Sequence, residues 1–331
     1  LSIFVVVESW LNDRATNKTR GKVLSIYMVI TFTCLALGVL LLNFNDPKEY
    51  EPFILVSLLL SIALIPILLT KRKPPTFKKI SSIKIKELYK TSPFGTVSMF
   101  CTGFLHPVIF TMGAVYGALM NFSILEISLY LSLITISGAI FQWPIGYLSD
   151  RFDRRIIMII TALLGSIFSA ICFFSVSESP DFINLSSDWK IIFQHITNHR
   201  LIFYIFISLY AGMCLPLFSL NLAYVNDFLP KEKFVSAGAG LQLIFGLSAM
   251  TAPFLCSFFI KELGPNGFFI FLFIFQTIIG LFGIYRMTRR STEENPDNTF
   301  TPLPRNITPV GIQLDPDTGV DLSNSENNSK V

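Results

Sequence analysis

Three observations predict an all-α integral membrane fold. The chain is 52% hydrophobic and only 15% charged over 331 residues, and Phe alone supplies 33 of them. A soluble domain of this size could not cover that much apolar surface with so few charges, so lipid must cover it. The apolar residues also come in long runs, at 24–42, 53–70, 96–118, 125–147, 156–176, 201–225, 235–260 and 267–285. A spanning helix needs ~20 mostly apolar residues to cross a hydrocarbon core of ~30 Å. Finally, compact charge clusters interrupt the runs. The sharpest lies in FQWPIGYLSDRFDRRIIMII, 141–160, where Asp150, Arg151, Asp153, Arg154 and Arg155 separate two membrane-length segments.

A ninth apolar run, 1–9, is too short to span. It begins with Leu and has no basic leader or cleavage site, so it reads as the end of a spanning helix and not as a signal peptide. The chain is therefore expected to be a fragment of a longer protein.

The loops next fix an orientation. With alternate loops taken as one side, 22 of the 26 Lys and Arg fall on that side and its tail; the other side holds Lys48, Lys190, Arg200 and Lys261. Such a bias assigns the basic side to the cytoplasm. The net charge of +4 thus reflects topology, and no basic patch interleaved with aromatics points to nucleic acid. The longest cytoplasmic loop, 71–93, carries Pro74-Pro75 and the basic amphipathic stretch Ile80 to Tyr89. It reads as a linker between two bundles, with that stretch either along the membrane surface or simply solvated. Residues 287–331 are polar, lack periodicity and read as a disordered cytoplasmic tail.

Cys34, Cys101, Cys172, Cys214 and Cys256 all lie inside apolar runs without metal-ligand spacing, so they read as small core residues. His195 and His199 share one helical face, but the chain has three His and no carboxylate at fixed spacing to them. We assign no metal and no cofactor. No phosphate-binding glycine loop supports ATP hydrolysis.

Two segments resemble one another. Glu8-Ser-Trp-Leu-Asn12-Asp13 and Leu222-Ala-Tyr-Val-Asn226-Asp227 align at an offset of 214, and each ends one apolar run and precedes another on the basic side. Six runs follow residue 94 and two, with part of a third, precede it. Equal six-helix halves would place three helices and part of a fourth before residue 1, and repeated halves are one architecture of secondary transporters.

Gly146-x-Leu-Ser-Asp150-Arg151-x-Asp153-Arg154-Arg155 resembles the signature loop of the major facilitator superfamily, Gly-x-Leu-x-Asp-Arg-x-Gly-Arg-Arg/Lys, with Asp153 in place of the usual Gly. ESWLND followed by RGKVLSIYM, QWPIGYLSDRFDRR and SLNLAYVND are similar to its YcaD-type branch. The resemblance covers roughly 1–286. It implies a partial twelve-helix transporter fold, from the last part of helix 4 through helix 12. Its divisions are 1–70, the remainder of an N-terminal bundle; 71–93, the linker; 94–286, a C-terminal six-helix bundle; and 287–331, the tail.

Asp150 ends an apolar run where a carboxylate can face the positive end of a neighbouring helix, worth ~0.3–1 kcal/mol. The expected partner is the helix opened by Val235-Ser-Ala-Gly-Ala-Gly240, whose small residues permit close approach. With Gly146, Arg151, Arg154 and Arg155 it forms a candidate gate. The arginines either pair with Asp227 or Asp13 or anchor to headgroups. Asn226 and Asp227 either cap their helix or bond to the signature loop. Glu8 lies seven apolar residues into its run, about one and a half turns before Asp13. A carboxylate there is expensive and usually functional, so Glu8 is the leading candidate for proton coupling; the alternative is an interfacial Glu snorkelling outward. Asn12, Asp13, Gln142, Asn221, Asn226 and Asp227 complete the coupling or cavity candidates. Gln242, Gln276 and His106 are polar within spans, and for each an interhelical hydrogen bond is the plainer reading.

The function expected is secondary active transport of a small solute by alternating access, with protons as possible coupling ions. The competing readings are an integral-membrane enzyme, which would need a His/Asp cluster at a membrane face that the sequence lacks, and a transport-inactive signalling paralogue. The expected partners are the solute and the lipid bilayer, the expected state a monomer, and the expected location a bacterial inner membrane.

Overall fold

The computed structural model describes residues 7–8, 11, 20–43, 49–69, 84–177, 189–230, 233–289, 300–304, 307–308 and 311–314. Asn12, Asp13, most of the 71–93 linker and most of the 287–331 tail lie outside them, as do the side chains of His195 and His199. Among the described residues every regular element is helical. They run α1 (Arg20–Leu40), α2 (Glu51–Leu68), α3 (Ile85–Thr91), α4 (Pro93–Leu119), α5 (Ile124–Arg151), α6 (Arg154–Ser177), α7 (Trp189–Cys214), α8 (Leu217–Asn226), α9 (Phe234–Leu263) and α10 (Gly267–Met287). Short 3₁₀ turns follow at Leu41–Asn43 and Gly311–Leu314. The fold is all-α and matches a partial transporter fold of the resembled kind.

Six helical spans are long and apolar enough to cross a bilayer: α4, α5, α6 to Ser175, Leu201–Asn226, α9 and α10. Ile26–Leu40 and Glu51–Pro66 are apolar but shorter. The eight apolar runs of the sequence thus become six full spans and two shorter ones.

Local chemistry sets several boundaries. Ser123 caps α5 in a reciprocal capping box with Glu126, which satisfies two otherwise orphaned backbone donors. Pro93 sits at the first turn of α4, where its missing N–H costs nothing. The span 201–226 breaks at Leu215-Pro216, dividing α7 from α8. Pro cannot donate into the ladder, so the chain turns there. His106 Nε2, on α4, donates to the Cys214 carbonyl at 3.1 Å beside the break. A carbonyl can only accept, so Nε2 carries the proton. A broken spanning helix needs such a substitute partner, because lipid offers none. Pro107 and Pro253 lie inside continuous helices.

Helices α4 to α10 pack together: α9 on α4, α10 and α7 on α6, and α5 on α7. At Gly103 an added Cβ would collide with Ser248 Oγ and the Phe245 backbone of α9. This is the small-residue contact that lets spanning helices approach. Gly103→Val is therefore expected to separate α4 from α9 and to cost about 1–3 kcal/mol, read as a lower thermal midpoint in detergent.

The outer surface is inverted relative to a soluble protein. Leu243, Leu247, Met250, Phe254 and Phe258 are all exposed on α9, at helical spacing. Such a stripe is suited to lipid or to a further apolar helix and not to water. Inside, aromatic rings fill the core, with Tyr130 stacked on Phe203 and Tyr116 on Phe268.

Candidate functional site

α5 and α6 meet in a two-residue turn, Phe152-Asp153, and the signature motif brackets it. Asp153 holds the N-cap position of α6. Its carbonyl accepts from Ile156 and Ile157 N–H, and its Oδ1 accepts from Arg155 N–H at 2.9 Å. Its carboxylate also pairs with the Arg155 guanidinium at 3.0 Å. Asp is a strong N-cap residue, so the Asp that departs from the usual Gly starts the helix by capping it. Asp153→Ala removes cap and ion pair together, and Asp153→Asn keeps the cap. Unfolding of the purified protein should show the larger loss in Asp153→Ala, with about 1 kcal/mol from the cap alone.

Arg154 is the hub of the motif and is only 7% exposed. Its guanidinium donates to Asp227 Oδ1 at 2.6 Å, to Asp150 Oδ1 at 3.0 Å and to the Ala223 carbonyl at 3.2 Å. It ties the α5–α6 turn to the end of α8. Of the alternatives left open by the sequence, Arg154 takes the pairing with Asp227, and Asp227 the bond to the signature loop. Arg151 instead lies over the Tyr147 ring, 4.2 Å from its centroid. The Asn226 side-chain carbonyl is buried and has no hydrogen-bond partner among the described residues.

Asp150 differs from expectation. Its described hydrogen bonds run to Arg154 and to the backbone N–H of Phe300, the latter at 2.6 Å. They do not run to the start of α9. The small residues there receive Ile312 instead, whose side chain packs on Gly238. Gly146 similarly faces the Phe300 ring, which an added Cβ would strike.

Residues 300–304, 307–308 and 311–312 thus correct the reading of the whole 287–331 tail as disordered. Leu303, Ile307 and Ile312 are buried in a cluster with Tyr27, Phe218 and Leu241. Three apolar side chains in an otherwise polar segment are enough to pack once a groove is offered, and no local periodicity announces them.

Glu8 is fully buried. Its Oε1 accepts from Tyr27 OH at 2.9 Å, and its Oε2 accepts from Thr308 N–H at 2.8 Å and from the Thr308 hydroxyl. The snorkelling alternative does not hold. Burying a carboxylate is tolerable only with such partners. Gln142 donates to Ser219 Oγ at 2.9 Å. Asn221 donates to Thr102 Oγ1 at 3.1 Å, and its own carbonyl oxygen has no described partner. Gln242 donates to the Ile307 carbonyl. Gln276 is buried with both amide atoms unpartnered among the described residues. Ser219, Tyr27 and Thr308 were not singled out by sequence, since a lone hydroxyl carries no pattern.

The two groups of candidates meet along one interface. At the far end of α5, Ser132 Oγ donates to the Ala36 carbonyl of α1 at 3.0 Å, so α1 and α5 touch directly. At the signature-loop end, the described tail residues lie between Glu8 and Tyr27 on one side and α5, α8 and α9 on the other. Among the described residues no group of three or more His, Cys, Asp or Glu could hold a metal.

The family model described as Major Facilitator Superfamily matches residues 2–186 and 126–316. An "Uncharacterized MFS-type transporter YfkF" of Bacillus subtilis is 24% identical over 272 residues, covering 80% of this chain and 64% of the relative. An "Uncharacterized MFS-type transporter YE1530" of Yersinia enterocolitica is 23% identical, covering 82% and 65%. An "Uncharacterized MFS-type transporter YcaD" of Escherichia fergusonii is 27% identical over 170 residues, covering 50% and 44%. The chain therefore spans less than two thirds of the length of these relatives. No solved structure matches it.

Proposed function

The chain belongs to the Major Facilitator Superfamily, and from that membership we propose that it is part of a secondary active transporter that moves a small solute by alternating access. Residues 1–70 belong to the N-terminal bundle, 71–93 to the linker and 94–286 to the C-terminal bundle. The signature loop, the end of α8 and the tail lie on the cytoplasmic side of a bacterial inner membrane. The protein is a transporter and not an enzyme.

One observation carries the reading. α1 packs directly on α5, where Ser132 Oγ donates to the Ala36 carbonyl, and toward the signature loop the tail residues stand between Glu8 and Tyr27 on one side and α5, α8 and α9 on the other. A seam between two helix groups that is joined directly at one end and through an inserted segment at the other suits a rocking pair of bundles. Along this seam lie polar groups that lipid would not tolerate, Glu8, Gln142 and Gln242, each bonded to the tail residues. Polar groups in spans face the interior and mark solute or ion paths.

Arg154, Asp150 and Asp227 act as the gate. Their ion pairs hold the α5–α6 turn to the end of α8, and Asp150 has a second bond free to exchange between states. Arg154 is buried while these pairs are formed, so they part only as the turn and α8 separate and water enters between them. Glu8 carries the coupling proton, because it is buried and its partners, Tyr27 and Thr308, can serve either protonation state. Protonated on Oε1, the carboxyl donates to the Tyr27 hydroxyl oxygen while Oε2 still accepts from Thr308.

The test is flux in proteoliposomes of the full-length protein under an imposed pH gradient, across a broad panel of small solutes. Gradient-driven flux is expected for at least one compound, slowed about tenfold in Asp150→Asn, equivalent to ~1.4 kcal/mol on the barrier. No flux of any compound overturns the reading.

A further inference from the structure

We propose that the tail, through its described residues 300–304, 307–308 and 311–312, is a built-in plug between α1 and the helices α5, α8 and α9, displaced when solute passes. This rests on the transport reading for its purpose but not for its geometry.

The contacts are those of a peptide in a groove. At the mouth, Phe300 N–H donates to Asp150, and its ring covers Gly146. Deeper, Leu303 exchanges two bonds with Ser219, N–H to Oγ and Oγ–H to carbonyl, each at 3.0 Å. Gln142 donates to the same hydroxyl at 2.9 Å and reaches the Leu303 carbonyl at 3.5 Å. The Ser219 hydroxyl thus spends its single donor and both acceptor sites, two of the three on the tail. Gln142 precedes Asp150 by eight residues, about 12 Å along the helix axis, so the segment enters well beyond the membrane surface. Gln242 then holds the Ile307 carbonyl, and Glu8 holds Thr308 through both its N–H and its hydroxyl.

Between these anchors Leu303, Ile307 and Ile312 are each at most 2% exposed. They bridge Tyr27 of α1 to Phe218, Leu222 and Leu241 of α8 and α9. The recognition is therefore of main-chain amides plus three apolar side chains. Glu8, Gln142 and Gln242 are the same groups that would face a solute, so plug and solute exclude one another. The plug also engages Asp150 and Glu8 at once, which links the gate to the coupling carboxylate through one segment.

Labelling with a charged maleimide tests this without any solute. In the full-length protein with Cys34→Ala, Ser219→Cys is compared with the tail present, with the chain ended after Arg289, and with Leu303→Asp and Ile307→Asp together. Labelling is expected to quicken about tenfold or more when the plug is removed or made polar, as a shift of a two-state equilibrium requires. Because Cys at 219 alters both bonds to Leu303, the pair Gly146→Cys with Phe300→Cys is oxidised in parallel and is expected to cross-link. Equal labelling rates with and without the tail, or no cross-link, overturn the proposal. Flux measured on the same samples separates its failure from that of the transport reading: a cross-link without flux keeps the plug, and flux without a cross-link removes it.

Discussion

Arg154→Ala is expected to abolish flux and to produce the largest loss of stability of any single change outside the packed core. The side chain is buried and holds two carboxylates and a carbonyl. Its removal takes from Asp227, only 13% exposed, the guanidinium held at 2.6 Å and leaves a cavity beside it. Breaking a buried pair by deleting one partner costs roughly 3–5 kcal/mol, because the surviving charge stays buried. Arg154→Lys keeps the charge but cannot bridge both carboxylates in a fork, so it should fold and transport slowly. Asp227→Asn with Arg154→Ala should recover part of the stability, since no buried charge is then orphaned, but no flux. Thermal unfolding and flux on the same preparations check all three. Near-normal flux in Arg154→Ala would remove the gate from the account.

Glu8→Gln is expected to separate coupling from movement. The amide oxygen can stand in for Oε2 and accept from Thr308, while the amide N–H donates to the Tyr27 hydroxyl oxygen, so packing survives, but the group no longer titrates. Solute exchange at equal pH should persist while accumulation driven by a pH gradient is lost. Glu8→Ala, by contrast, leaves the Tyr27 hydroxyl and the Thr308 N–H without their partner, at about 1–3 kcal/mol for each buried group left unsatisfied. It should destabilise the protein and loosen the tail together. Full gradient-driven accumulation in Glu8→Gln would assign the coupling elsewhere and leave the fold unaffected.

Much of the fold was legible because lipid imposes simple rules. A run such as 267–285 can only be a helix if it spans, and it is one, as α10. The site was legible in its charges and not in its partners. Arg154 and Asp227 sit 73 positions apart, and only the return of α8 to the signature turn brings them together. Glu8 stood out as a carboxylate among apolar residues, yet its partner Thr308 lies 300 positions away. Leu303, Ile307 and Ile312 gave no signal in a polar tail, because their burial depends on a groove built by other helices. Asp153 was visible as a departure from the motif, and its role as an N-cap became clear once α6 was seen to begin at Arg154.

Alternation of access about the α1–α5 contact is the central claim, and reciprocal labelling tests it most directly. In full-length protein with Cys34→Ala, Gln142→Cys is labelled from the signature-loop face and Ser132→Cys from the opposite face. Solute or pH conditions that quicken one should slow the other in the same proportion. Simultaneous labelling of both sites at full rate, or rates that vary independently, would contradict alternating access.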